Sequence, residues 1–151
     1  MPEILVRTTT LADAPIISEF NQLMATETEN KRLPEEVINN GVKRLMQRPE
    51  YGFYLIAEDT QQTVAGTCMV TMEWSDWRDG LFWWVQSVYV KPEYRKQGVY
   101  SAMYNRIREL ADKEPDVYGF RLYVEKDNLI AQKTYESLGM QATDYIMYES
   151  V

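Results

Sequence analysis

The sequence predicts a mixed α/β domain of the α+β class, in which about four helices flank a central, mostly antiparallel sheet of six to seven strands. Two observations predict this fold. Short apolar runs with strand character alternate with segments whose apolar residues recur at helical spacing, in the order β-α-α-β-β-β-α-β-α-β. A length of 151 residues and a hydrophobic fraction of 45% suffice for one domain with its own core, which we place at residues 1–151.

The first half of the chain carries the signals of a strand, two helices and a strand pair. A capping pattern at residues 10–13 starts the first helix, and Pro34 and Pro49 bound the second. The predicted elements are residues 3–9 (strand), 10–29 (helix), 34–48 (helix), 52–58 (strand) and 63–72 (strand).

The second half is organised by three turn signals. Asp79 and Gly80 form a strong hairpin signal, Pro92 ends the apolar strand that follows, and Pro115 separates the next helix from the next strand. The predicted elements are residues 81–90 (strand), 99–113 (helix), 119–124 (strand), 128–138 (helix) and 141–148 (final strand).

The composition excludes several kinds of catalytic site. The chain contains no histidine, which rules out Ser-His-Asp and Cys-His catalysis and a His-ligated metal site, so we expect no metal cofactor. The single cysteine, Cys68, lies in an apolar run and is expected to be a buried, inert thiol.

The net charge and the hydropathy of the sequence limit the classes of binding partner that we expect. A net charge of −7 argues against nucleic acid and favours a cationic partner, although acidity that serves solubility alone explains the charge equally well. No apolar run approaches the ~20 residues that span a bilayer, so no membrane partner is expected. Residues 1–3 carry no basic leader, and we therefore expect a cytoplasmic protein.

The turn after the predicted 81–90 strand has the features of an anion site. The backbone amides from Gly98 to Ser101 are expected at a helix start, where they have no intrahelical partner. The positive end of the helix dipole, with Arg95 and Lys96 beside it, attracts a phosphate or pyrophosphate. An arginine-containing turn that only caps and solvates the helix is the alternative.

Two motifs resemble the signatures of the Gcn5-related N-acetyltransferase (GNAT) family. The first resembles the acetyl-CoA loop, R/Q-x-x-G-x-G/A, which Arg95 and Gly98 match and from which Tyr100 departs by replacing the last Gly or Ala. The second resembles N-x-x-A-x-x-x-Y-x-x-x-G-F. Its matches are Asn128, Ala131, Tyr135 and Gly139, with Met140 in place of the final Phe. With the opening strand and helix, the resemblance covers essentially the whole chain.

The resemblance implies an enzyme that transfers an acetyl group from acetyl-CoA to a primary amine of a small molecule or peptide, by direct attack in a ternary complex. A noncatalytic CoA-binding or partner-binding module of the same fold is the alternative, and Gln86 and Tyr100 would then mark altered chemistry. The coenzyme A site implied by the resemblance comprises Val88, Tyr89, Val90, Arg95, Lys96, Gln97, Gly98, Val99, Tyr100, Ser101 and Asn128.

The resemblance also implies catalytic roles. Tyr135 would be the general acid toward the departing sulfur, and its alternative is a core aromatic of an amphipathic helix. A backbone amide near Val88 to Val90 would stabilise the oxyanion. Family members often carry a glutamate where this chain has Gln86, which cannot accept a proton at neutral pH. We therefore predict Glu73 as the base, with Glu125 or a water relay as alternatives.

The acceptor site is predicted from acidic and aromatic residues. Glu27, in the first helix pair, and Gln86 are assigned to substrate binding. Trp74 and Trp77 lie near a polar loop, where large exposed aromatics mark a binding pocket or a contact in a homodimer. For each acidic residue, a solvated surface carboxylate is the alternative.

Overall fold

The computed structural model describes residues 3–151, so the expectation of no leader falls partly on residues 1 and 2, outside the described chain. The strands are β1 (Leu5–Thr8), β2 (Gly52–Glu58), β3 (Val64–Ser75), β4 (Gly80–Val90) and β5 (Val117–Arg121), and the helices are α1 (Ala14–Glu29), α2 (Glu35–Met46), α3 (Val99–Asp112) and α4 (Leu129–Ser137). Among these described residues, the structure contains no helix with the length and apolar content to cross a membrane.

One sheet carries all five of these strands, in the order β1-β2-β3-β4-β5. The first four pair antiparallel, and β5 pairs parallel to β4 through the α3 crossover. The predicted α+β domain with a mixed, mostly antiparallel sheet and four helices is therefore confirmed.

The strand count of six to seven is wrong, since the described chain has five. The predicted final strand, residues 141–148, does not form: these residues pair with no strand, Asp144 lies in a bend, and all of them are exposed. The apolar run from Tyr145 to Tyr148 predicted a strand because such a run is usually buried, and nothing within residues 3–151 buries it. The predicted 119–124 strand forms at Val117–Arg121 instead, because β4 diverges from residues 122–124.

The sheet is covered on both faces, which explains the continuous apolar run of β2. Leu55 faces a core under α3 that includes Met103 and Ile107, and Ile56 faces a second core under α1 and α2 that includes Ile17 and Val42. Neighbouring strand residues point to opposite faces, so both must be apolar. Cys68 is fully buried, as predicted, and burial raises the pKa of its thiol to about 12, which keeps it inert.

We expect Gly52→Ala to destabilise the fold. A methyl group there would overlap the Val70 carbonyl oxygen across the β2–β3 pair, so the backbone must shift. Overpacking of this kind costs about 1–3 kcal/mol. Gly41→Ala in α2 is the control, because its added methyl meets nothing within 4 Å and should stabilise the helix by ~0.5–1 kcal/mol. Urea unfolding measures both, and an unchanged midpoint for Gly52→Ala would contradict the close approach.

Candidate active site

The parallel pairing of β4 with β5 stops before β4 ends. It covers Leu81 to Trp84 on β4, whereas the pairing of β4 with β3 continues to Val90. On the β5 side, residues 85–90 of β4 therefore have no strand beside them among the described residues. We call these residues the open edge of β4. Their backbone groups on that side have no strand partner, although the Val90 carbonyl accepts a bond from Arg95. They lie at the carboxyl ends of two parallel strands, where ligands bind in open sheets.

A β-bulge coincides with the open edge. Thr67 of β3 pairs with Tyr89, but Met69 pairs with Gln86, so two residues of β4 lie opposite one residue of β3. Ser87, inside the bulge, has a left-handed φ of 50°. Bulges bend the strand that carries them and increase its twist, which turns β4 away from β5. No glycine or asparagine announces this conformation in the sequence, so sequence reasoning missed it.

The residues of the predicted anion site lie just after the open edge in the chain. After β4, the chain makes a short turn, and Gly98 (φ 78°) is the left-handed residue directly before α3, which begins at Val99 as predicted. Lys96 is also left-handed (φ 61°) and exposed. The first intrahelical bond runs from the Ala102 N–H to the Gly98 carbonyl at 2.9 Å. The amides before it lie at a helix N-terminus, where an anion is stabilised.

Arg95 and Glu27, which sequence reasoning assigned to different ligands, bind each other. The Arg95 guanidinium makes bonds of 2.6 and 2.8 Å to the two oxygens of Glu27. Its Nε donates to the Val90 carbonyl at 2.9 Å, and the Tyr89 hydroxyl donates to Glu27 at 3.0 Å. The hydrogen bond from Arg95 lowers the pKa of Glu27. These contacts fasten the end of α1 to the end of β4.

The network was missed because Glu27 and Arg95 lie 68 positions apart, and local patterns carry no signal at that separation. The ion pair between Arg95 and Glu27 limits what Arg95 can contribute to anion binding. The Arg95 guanidinium is bound to Glu27, so it would have to be shared between Glu27 and a bound anion. The main-chain amides and Lys96 are less engaged in other contacts than Arg95 is.

Tyr135 contacts the loop helix through aromatic rings. Its ring lies edge-on to Tyr100 with 5.4 Å between centroids, and Tyr100 stacks on Tyr104 at 6.3 Å. Burial raises the pKa of Tyr135. Asn128 caps α4 by accepting a 3.1 Å bond from the Ala131 N–H. The two motifs are thus brought together, with Tyr100 between α3 and α4.

The Tyr100 hydroxyl is buried and has no hydrogen-bond partner among the described residues. The ring therefore turns inward, where it contacts Tyr104 and Tyr135. Burial is also the main reason that the pKa of Tyr100 is raised, so its phenol stays neutral.

Glu73 lies where β4 and β5 separate. It accepts a 3.0 Å bond from the Trp84 indole and a 2.8 Å bond from Arg121, and Trp84 and Arg121 are the last paired residues of their strands. Gln86 donates a 2.6 Å bond to Thr71 on β3. Both predicted residues therefore lie beside the open edge, and Arg121 neutralises Glu73 locally.

Trp74 and Trp77 do not join this group. Trp74 pairs with Leu81 at the β3–β4 hairpin, and Trp77 lies in the turn of that hairpin with 86% of its side chain exposed. The open edge begins at residue 85, four positions farther along β4 than Leu81. These indoles can reach only an acceptor that extends along the hairpin.

A depression of about 390 Å³ lies elsewhere on the domain. Phe53, Leu81, Trp83 and Leu110 line it, on the α3 side of the sheet and toward the opposite end of β4 from the open edge. It has neither loop amides nor Tyr135. The open edge is the better candidate because it combines a helix N-terminus, unpaired strand groups and a buried phenol. Within residues 3–151, no cluster of acidic residues and cysteine suits a metal.

Known proteins resemble this chain over most of its length. A model of the acetyltransferase (GNAT) family matches residues 16–140. The catalytic subunit NAA20 of the N-terminal acetyltransferase B complex of Arabidopsis thaliana is 33% identical over 109 residues, which cover 71% of this chain and 56% of that protein. The chain thus spans about half the length of this relative.

Solved structures resemble this chain in their fold as well. A possible acetyltransferase from Clostridium difficile 630 is 43% identical, with a TM-score of 0.89 over 98% of this chain and 97% of that one. A predicted acetyltransferase from Clostridium acetobutylicum, solved with acetyl-CoA, has a TM-score of 0.78 over 98% of this chain and 96% of that one, at 18% identity. The second likeness concerns the fold alone.

We expect Glu27 and Arg95 to be energetically coupled. A double-mutant cycle of Glu27→Gln and Arg95→Gln should give about 0.5–1 kcal/mol at low salt, the upper range for a pair this exposed, and less at high salt. Because Arg95 lowers the Glu27 pKa below its ordinary value of 4.5, the coupling should be complete above that pH and disappear as pH falls through the folded-state pKa.

Urea unfolding of the four proteins measures this coupling. Arg106 and Glu109, a 3.1 Å pair on one helix, provide the matched control, with an expected coupling of ~0.2–0.5 kcal/mol. A Glu27–Arg95 coupling of zero at low salt would show that the pair does not fasten α1 to β4.

Proposed function

Because the chain belongs to the acetyltransferase (GNAT) family, we propose that it transfers an acetyl group from acetyl-CoA to a primary amine of a small molecule or peptide, by direct attack in a ternary complex. The observation that carries this proposal is the open edge of β4, which lies between the N-terminus of α3 and Tyr135 of α4. We further propose a cytoplasmic homodimer.

The residues present fit coenzyme A. The amides of Gln97 to Ser101, with Lys96 and the shared guanidinium of Arg95, would hold the pyrophosphate at the positive end of α3. Val88, Tyr89 and Val90 of the open edge would bind the pantetheine arm and acyl oxygen through main-chain groups. Asn128 uses its side-chain oxygen as the α4 cap, so its amide NH₂ would contact the pantetheine region.

Acetyl transfer requires the amine nitrogen to bond to the acyl carbon while the carbon–sulfur bond breaks. An N–H of residues 88–90 would donate to the acyl oxygen as it gains negative charge. Tyr135 would give its proton to the departing sulfur. Burial raises the pKa of Tyr135, so its phenol is protonated at neutral pH and has a proton to donate. Solvent then returns the proton to Tyr135.

The amine must lose a proton before or during attack. Glu73 is the proposed base because it lies where β4 and β5 diverge, beside the open edge. It is held there by a 2.8 Å ion pair with Arg121. Glu125 or a chain of water molecules are the other routes for that proton.

The acceptor is proposed to be cationic before reaction. The net charge of −7 and the carboxylates of Glu73 and Glu27 near the β4 end favour an ammonium group. Trp74 and Trp77 would contact the more distant part of an extended acceptor, such as a peptide. The Arabidopsis relative is named an N-terminal acetyltransferase subunit, which supports a peptide amine as one candidate.

Turnover of Tyr135→Phe tests the proposed enzyme. The exchange keeps the ring contact with Tyr100 and removes the proton, so acetyl-CoA affinity should hold while kcat falls by about 10²–10⁴. Tyr104→Phe, in the same aromatic stack, is the matched control and should retain activity. The measurements are acetyl-CoA titration by calorimetry and thiol release with a panel of polyamines, amino acids, aminoglycosides and peptides.

The alternative function predicts a different result for the same panel. A noncatalytic module would bind acetyl-CoA but release no thiol above the uncatalysed rate with any amine, for wild type and both variants. Full activity of Tyr135→Phe on a confirmed acceptor would instead leave the enzyme standing and assign Tyr135 to packing.

Ionic strength tests the cationic acceptor. For the correct amine, kcat/KM should fall as salt rises, because screening weakens attraction by the acidic site. Glu73→Gln should lower kcat/KM and flatten the salt dependence, and Trp77→Ala should raise KM for a peptide but not for a small amine. Glu109→Gln, remote on α3, is the charge-matched control. Activity confined to neutral or anionic amines would contradict this assignment.

A further inference from the structure

The turn between β2 and β3 is closed by the side chain of Asp59. Oδ1 of Asp59 accepts bonds of 2.9 Å from the backbone amides of Gln61 and Thr63, and the Asp59 N–H donates to the Thr63 carbonyl at 3.0 Å. An aspartate that bonds to the backbone just after itself is typical of such turns. Oδ1 is therefore used within the turn, and Oδ2 is left for another part of the chain.

Oδ2 of Asp59 binds the loop that leads into α3. The Tyr94 hydroxyl donates to it at 2.8 Å, from 35 positions away in the chain. Tyr94 ends a short 3₁₀ turn, Pro92–Tyr94, and its ring packs against the core under α3. The hydrogen bonds from the Thr63 amide and from Tyr94 lower the pKa of Asp59, so this carboxylate is charged at neutral pH.

Residues 95–98, the last part of this loop, have a backbone that local bonds fix only in part. Lys96 (φ 61°) and Gly98 (φ 78°) are both left-handed, and this conformation is unfavourable for a lysine unless the surrounding structure fixes it. The Gln97 side chain donates to the Glu93 carbonyl at 2.9 Å. Because that bond lies within the loop, contacts with other elements must fix the loop to the domain.

Two adjacent side chains make such contacts. Arg95 binds Glu27 on α1, and Tyr94 binds Asp59 in the β2–β3 turn. A bound phosphate would have to share the Arg95 guanidinium, because that group is a charged donor. A neutral hydroxyl attracts a phosphate less strongly, so the bond between Tyr94 and Asp59 is the contact that we expect to persist when an anion binds.

We propose that Tyr94 is a positioning residue, whose bond to Asp59 holds the amides of residues 97–101 in the conformation that binds the pyrophosphate of acetyl-CoA. This inference rests on the proposed acetyl-transfer function. Without the bond, the loop would sample further conformations, and the measured Kd would rise as the fraction of molecules in the competent conformation falls. The bond acts on the loop and not on the thioester, so kcat should not change.

Tyr94→Phe tests this role, because it keeps the ring and leaves the bonds of Asp59 within its own turn. Calorimetry should show a Kd for acetyl-CoA that is raised about 3–10-fold, the factor that corresponds to one hydrogen bond. KM for acetyl-CoA should rise by the same factor, while kcat and KM for the amine hold. Tyr51→Phe is the matched control, because Tyr51 is exposed at the opposite end of β2 from Asp59, and this variant should bind as the wild type does.

Two probes separate positioning of the loop from general damage to the fold. S-acetylpantetheine has the thioester but no phosphate, so its kcat/KM should be the same for Tyr94→Phe and wild type. Inorganic pyrophosphate, as a competitor of acetyl-CoA, should lose affinity by the same factor as acetyl-CoA. Equal losses for both acyl donors, or an unchanged Kd for acetyl-CoA, would overturn the role of Tyr94 and leave the enzyme standing. A wild type that binds no acetyl-CoA would overturn the proposed function itself, and this role with it.

Discussion

The separation of β4 from β5 is the constraint on which the rest of the site depends. Parallel pairing ends at Trp84 and Arg121, and the bulge at Ser87 turns the remaining part of β4 outward. A left-handed serine costs of order 1–3 kcal/mol, which the surrounding sheet must offset. The pairing of β4 with β3 on both sides of the bulge supplies that stabilisation. The fold therefore maintains a gap in its own sheet.

Three contacts keep the borders of this gap in place. Arg95 and Glu27 join α1 to the end of β4, Arg121 and Glu73 join β5 to β3, and Tyr100 packs against Tyr135 of α4. The first and third join elements that the sheet alone would leave independent, and the second links two strands that both pair with β4. The carboxylates that give the site its acidic character are thus partly committed to structure, and the main-chain amides are its most available groups.

Local signals were sufficient where the determining contacts are local. Gly98 before an apolar helix predicted the start of α3 at Val99, and the apolar run at residues 52–58 predicted β2 with the bounds that it has in the structure. The Ser87 bulge and the pairing of Glu27 with Arg95 depend on distant strands and helices, so no neighbouring residue announces them. Residues 141–148 failed as a predicted strand because an apolar run indicates burial without identifying the partner surface.

The open edge has a thermodynamic consequence for the proposed enzyme. A ligand that occupies it acts as the missing neighbour of β4, and only the folded state offers that place. Binding then contributes RT ln(1 + [L]/Kd) to folding, about 2.7 kcal/mol at a hundredfold excess over Kd. The resistance of this protein to unfolding, and hence its lifetime in a cell, would rise and fall with the supply of the acyl donor.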